Sequence, residues 1–171
     1  TMLFDAEIDV AIVAPGEKPG GLDWVPLFTE ELVVVTSTDH SFAQRSFIRA
    51  EDMREEIWIT YGMKTEPGFE GERFMRPANT HPKRVVRVEL PGAIIDLVCA
   101  GMGVSILSQW AVAPDVAAGR VATSRLTESG LPIKWYAAVR QADPNNAASK
   151  RFAQVLAEWC GGDGGGFQAD A

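Results

Sequence analysis

The sequence predicts an α/β fold with a mostly parallel sheet, divided into two lobes. Three observations carry this. Strand-like and helix-like stretches alternate along most of the chain. The run LPGAIIDLVCAGMGVSILS, from Leu90 to Ser108, reads as an amphipathic helix, a Gly-x-Gly turn and a buried strand, which is a joint of an open α/β sheet. The strands also fall into two groups, before about Thr36 and after about Ile57, and a last strand and helix can return to the first group. With 171 residues, 46% of them hydrophobic, the chain can bury a core without staples.

The elements follow in order. Leu3 to Asp5 reads as a helix end, and Ile8 to Val13 as a nearly continuous buried strand. Ala14 to Gly21 is a Pro/Gly loop. Leu22 to Phe28 alternates, with Pro26 forcing an edge or a bend, and Glu31 to Thr36 reads as a separate buried strand. Asp39 to Arg45 is a turn or short helix, Arg49 to Met53 one helical turn, and Ile57 to Tyr61 a β-branched and aromatic strand. Thr65 to Gly71 is a loop. Phe69 to Met75 is a helix stopped by Pro77, and Arg84 to Leu90 alternates like a strand. In the Leu90–Ser108 run, Ile94, Ile95, Leu97, Val98 and Met102 recur at helical spacing. Gly101 and Gly103 end the helix, and Val104, Ile106 and Leu107 form the strand. Trp110 to Ala118 is a helix, and Val121 to Leu126 and Ile133 to Val139 are strands. Ser149 to Trp159 is a helix with Phe152, Val155, Leu156 and Trp159 on its apolar face.

Charge and cysteine usage exclude several classes. The net charge is −7 and the lysines and arginines are scattered, so the chain is a poor binder of duplex DNA by itself. Cys99, on the central helix, and Cys160 are isolated and form no disulfide framework, which suits a reducing compartment. No stretch is long enough to span a membrane and no signal peptide is visible. The opening TMLFDAEIDV starts inside a helix end, which leads us to expect a fragment of a larger protein. The tail GGDGGGFQADA is expected to be disordered.

Catalytic and metal chemistry find little support. His40 follows Asp39, but no G-x-S-x-G or similar nucleophile elbow accompanies them. His81 has no nearby ligand set for zinc. Glu51, Asp52, Glu55 and Glu56 read as a solvated helix face rather than an acid–base pair. Gly101-Met102-Gly103 lacks the third glycine of a dinucleotide fingerprint and follows a helix rather than a strand, so no cofactor is implied. Trp24, Trp58, Trp110 and Trp135 read as core, because no basic residues interleave with them. Ligand contacts are expected outside the carboxyl ends of strands. Tyr61, Lys64 and Thr65 follow one such strand and Ala14-Pro15-Gly16 another, while Val104 and Ser105 offer backbone or hydroxyl groups at the turn.

The segments FDAEIDVAI, GLDWVPLFTEELVVVTSTDHSFA, IWITY, VCAGMGVSILSQWAV and KWYAAVR, in this order and with a closing helix, resemble the effector-binding domain of LysR-type transcriptional regulators. The resemblance covers Leu3 to Cys160. WAV and WYAAVR look most like the methionine-biosynthesis regulators of that family. The sequence departs from the family at Asp39-His40-Ser41-Phe42-Ala43, which lacks the usual proline, and at Ser108, where a proline often stands.

The resemblance implies a type-2 periplasmic-binding-protein-like fold of two Rossmann-like subdomains with an effector cleft between them. Residues 1–36 would belong to subdomain I, 37–126 mainly to subdomain II, and 127–160 to subdomain I again, with 161–171 a tail. The first strand and helix of subdomain I would be absent, with the second strand and most of the second helix. Pro15 and Gly16 would line one side of the cleft, Thr60, Tyr61 and Gly62 the other, and Gly103, Val104 and Ser105 would close it. For a small amino acid such as homocysteine, Lys64 would meet the carboxylate and Glu66 the ammonium. The whole protein would be a cytoplasmic homo-oligomer that reaches DNA through an N-terminal helix-turn-helix outside this chain. Two other classes stay open at this point: a transport-type solute-binding protein on the same fold and a small α/β enzyme.

Overall fold

The computed structural model describes residues 2–61, 70–145 and 147–161. Eight strands run as β1 (Val10–Val13), β2 (Leu22–Thr36), β3 (Phe47–Ile48), β4 (Ile57–Tyr61), β5 (Arg84–Val88), β6 (Ser105–Ser108), β7 (Ala122–Leu126) and β8 (Leu131–Arg140). Three α-helices accompany them: α1 (Pro91–Cys99), α2 (Gln109–Ala117) and α3 (Ala148–Gly161). A 3-10 turn covers Ala50–Glu55 and a π-helical turn Gly71–Met75. The chain forms two compact units, Thr1–Glu30 with Ile133–Ala171, and Glu31–Pro132. The predicted tail, Gly62, Lys64 and Glu66 lie outside the described residues.

In the first unit β1 pairs antiparallel with β8, from Val10 opposite Val139 to Val13 opposite Tyr136, and β8 is also a neighbour of β2. Leu27, Ala137, Val139 and Ala153 form the core. Arg140 secures the start of the chain by donating to the carbonyls of Leu3 and Ile8 and to the Asp9 carboxylate. It also pairs with Asp143, whose carboxyl is held below its usual range by that contact.

The second unit centres on the far half of β2. Leu32 to Val35 pair antiparallel with β6, and Val33 to Thr36 antiparallel with β7. β4 and β5 form a separate parallel pair, from Ile57 opposite Arg84 to Tyr61 opposite Val88. Ile94, Ile95 and Val98 of α1 pack with Val33, Val35 and Ile59. The end of α1 is a Schellman motif: Gly101, at φ +68°, donates to Val98 O and Met102 to Leu97 O. Gly119, at φ +67°, ends α2 in the same way.

Five expectations need correction. The sheet is not mostly parallel, since three of the five pairings given above and between β3 and β7 are antiparallel. Strands next to each other in the chain are not the ones that pair: β1 takes β8 from the far end of the described chain, and β6 and β7 both run antiparallel to β2. The two strands expected between Leu22 and Thr36 are one 15-residue strand that runs through an exposed Pro26. β1 stands at the edge of its sheet and is not a buried strand; Ile12 is 51% exposed. On α3 the closely packed side is the small one, Ser149 and Ala153, so Phe152, Val155 and Trp159 are exposed. Trp110, expected in the core, sits on the exposed first turn of α2.

Candidate functional site

The carboxyl end of β4 and the Gly101–Ser105 turn are locked together through the main chain. The Val104 N–H donates to Ile57 O at 2.9 Å, and the Ile59 N–H donates to Val104 O at 2.8 Å. Val104 thereby forms a parallel bridge to Trp58. The Ser105 hydroxyl adds a buried bond to Ile59 O at 2.7 Å. Gly103 is required here by space: a Cβ at that position would lie 2.4 Å from the Ile57 carbonyl oxygen. The two glycines of the motif therefore have different tasks. Gly101 supplies the left-handed helix end and Gly103 the close backbone approach.

This lock presents Thr60 and Tyr61 at the end of β4. Thr60 is buried and donates from Oγ1 to Tyr61 O, while Tyr61 is 57% exposed. The Tyr61 hydroxyl is pushed above its usual value, first by desolvation and then by the nearby Glu70 carboxylate. Glu70 is itself buried, and desolvation raises its carboxyl above the usual range. Val104 and Ser105 are fully buried with their polar groups engaged, so they support β4 from behind and offer no free donor. Among the described residues, two buried polar atoms have no hydrogen-bond partner, Thr36 Oγ1 and Trp58 Nε1.

Pro15 and Gly16 belong to the first unit, on the loop between β1 and β2. Gly16 is exposed and has open space where a Cβ would stand. The Trp24 indole donates to Pro19 O at 3.4 Å, and the Gln141 N–H to Gly21 O at 3.0 Å. The structure thus brings Thr60, Tyr61, Gly103, Val104 and Ser105 together, and holds Pro15 and Gly16 on a separate loop.

Sequence reasoning missed Glu70 as a neighbour of Tyr61 at the end of β4. Glu70 stands four residues before Phe74, so an acidic residue at helical spacing from an apolar one was the available signal. The other polar clusters serve the structure. His40 accepts the Phe42 N–H at Nδ1 and faces Glu56 through Nε2 at 3.4 Å. Asp52 binds Arg45 and the Arg49 N–H. A hollow of about 280 Å³ beside Glu31, Arg45, Gln109 and Arg125 contains no predicted site residue, and Arg125 is paired there with Glu31. Among the described residues no group of three or more His, Cys, Asp or Glu side chains is arranged to hold a metal ion.

Comparison with known proteins gives a consistent result. The LysR substrate binding domain matches residues 1–161. The HTH-type transcriptional regulator MetR of Haemophilus influenzae is 30% identical over 155 residues, which is 91% of this chain and 50% of that protein. The chain thus spans about half the length of that curated relative. The regulatory domain of MetR from N. meningitidis superposes with a TM-score of 0.82 at 34% identity, over 92% of this chain and 72% of that one. The Synechocystis PCC6803 CcmR regulatory domain in complex with 2-PG shares the fold, with a TM-score of 0.80 at 21% identity over 95% of this chain and 78% of that one.

Proposed function

The chain belongs to the LysR substrate-binding domain family, and from that premise we propose that it senses a small amino acid such as homocysteine for a cytoplasmic transcriptional regulator. It is a MetR-like effector-binding domain of a LysR-type regulator, from a family of transcription factors and not of enzymes. The observation that carries the finer reading is the likeness to the MetR regulatory domain over 92% of the chain. The CcmR domain's complex with 2-PG supports a small-molecule ligand as the general mode.

In this reading the ligand lies in a cleft between two Rossmann-like subdomains. Pro15 and Gly16 line one side, and Thr60, Tyr61 and Gly62 line the other beside Gly103. Lys64 meets the carboxylate of the ligand and Glu66 its ammonium. Val104 and Ser105 act by fixing the end of β4. The ligand changes DNA binding only through different affinities for two arrangements of the regulator, so no covalent chemistry is involved. DNA is reached through a helix-turn-helix outside this chain, in a homo-oligomer.

A thermal-shift titration of this chain tests the reading, with L-homocysteine, L-methionine and a hydroxy-acid panel as probes. A ligand at a hundredfold its dissociation constant stabilises the folded state by about 2.7 kcal/mol. The expected result is a saturable shift with homocysteine that Tyr61→Ala weakens. A shift with hydroxy acids and none with amino acids would overturn the proposed ligand class.

A further inference from the structure

Loop 14–21 carries a charge–aromatic arrangement that the ligand reading does not use. Lys18 Nζ stands 3.5 Å from the ring centroid of Tyr136 and 6.0 Å from that of Trp24. The two rings lie 6.3 Å apart and meet edge to face at 88°, so they make two walls of a corner. Both walls are anchored in regular structure. Trp24 belongs to β2 and Tyr136 to β8, the two strands are neighbours, and Tyr136 is paired with Val13. The loop itself is loosely held. Gly16 and Gly20 have nothing within 4 Å of an added Cβ, and the Trp24 bond to Pro19 O is long at 3.4 Å. Lys18 is exposed, and its ammonium lies against these two rings.

We infer that the Trp24–Tyr136 corner is a receptor site for an organic cation, with Lys18 as its built-in occupant and loop 14–21 as the strap that this occupant fastens. An aromatic face attracts a cation through its quadrupole, and quaternary ammonium groups are the cations that such faces recognise best. Such a group is bulkier than the lysine ammonium and carries no tightly bound water. At an exposed site one contact of this kind is worth a factor of about two to five. The strap is therefore open part of the time, and an external cation can take the corner without unfolding anything. The net charge of −7 favours the approach of a cation. The inference does not depend on which effector the domain senses.

Tetramethylammonium chloride is the probe, with sodium chloride at matched ionic strength as the control. The readout is the Trp24 indole N–H and the backbone amides of 14–21 in ¹H–¹⁵N spectra of the full chain, assigned with Trp24→Phe. The expected result is a saturable change confined to these signals, with half-saturation at about two- to fivefold lower concentration in Lys18→Ala. Lys18→Arg should keep the wild-type response, and Tyr136→Leu should lose it. Equal half-saturation in wild type and Lys18→Ala overturns the proposal, as does an equal response to sodium chloride. Lys18 is exposed, so its variants decide the matter even if Tyr136→Leu destabilises the sheet.

Discussion

Gly103 and Gly16 stand on two regions that the effector reading assigns to one ligand, and they are held in opposite ways. Around Gly103 the main chain does the holding: an added Cβ would lie 2.4 Å from the Ile57 carbonyl, and hydrogen bonds on both sides bind Val104 to β4. Around Gly16 there is open space, and the loop is tethered by an indole bond, a lysine on an aromatic ring and one main-chain bond at Gly21. The β4 side is thus set by backbone geometry, which tolerates almost no change. The loop side is set by side chains, which can exchange partners.

Substitutions can break or sharpen that contrast. Gly103→Ala is expected to cost the most, roughly 3 kcal/mol, because a backbone oxygen cannot move aside without loss of the Val104 bridge. A shift in the urea midpoint with an unchanged slope would measure it. Ser105→Ala comes next, at about 1–2 kcal/mol, since it removes a buried bond to Ile59 O. Hydrogen exchange at β4 amides should rise in this variant while that of β1 and β8 amides stays as in wild type. Gly16→Ala should change stability by less than about 0.5 kcal/mol, because its φ is not in the left-handed region and nothing stands in the way. If Gly16→Ala proved as costly as Gly103→Ala, the loop would be held as rigidly as the end of β4, and the contrast would fall.

Much of the β4 region was legible in the sequence because its signals are local. IWITY reads as a strand on composition alone, and α1 announces itself by spacing, by Pro91 at its start and by Gly101 after its end. The close approach at Gly103 was not legible as such, since it depends on Ile57, far away in the chain. The same distance hid the corner made by Trp24 and Tyr136, whose residues meet only once β2 and β8 are neighbours. Helical spacing misled for α3: Phe152, Val155 and Trp159 share a stripe, but the strands are met through Ser149 and Ala153. Alternation of strands and helices likewise says nothing of which strands pair, as with β1, whose antiparallel partner β8 lies at the far end of the described chain.

The first unit is made from the two ends of the described chain, with Val10 opposite Val139, whereas the second is a single uninterrupted stretch. That layout has a consequence for biosynthesis. The second unit is complete on the ribosome while β1 still waits for β8, a delay on the order of ten seconds at ordinary elongation rates. During that interval the side of β1 that β8 will take is open, and the nascent chain is exposed there to capture by chaperones or to mispairing with a neighbouring copy.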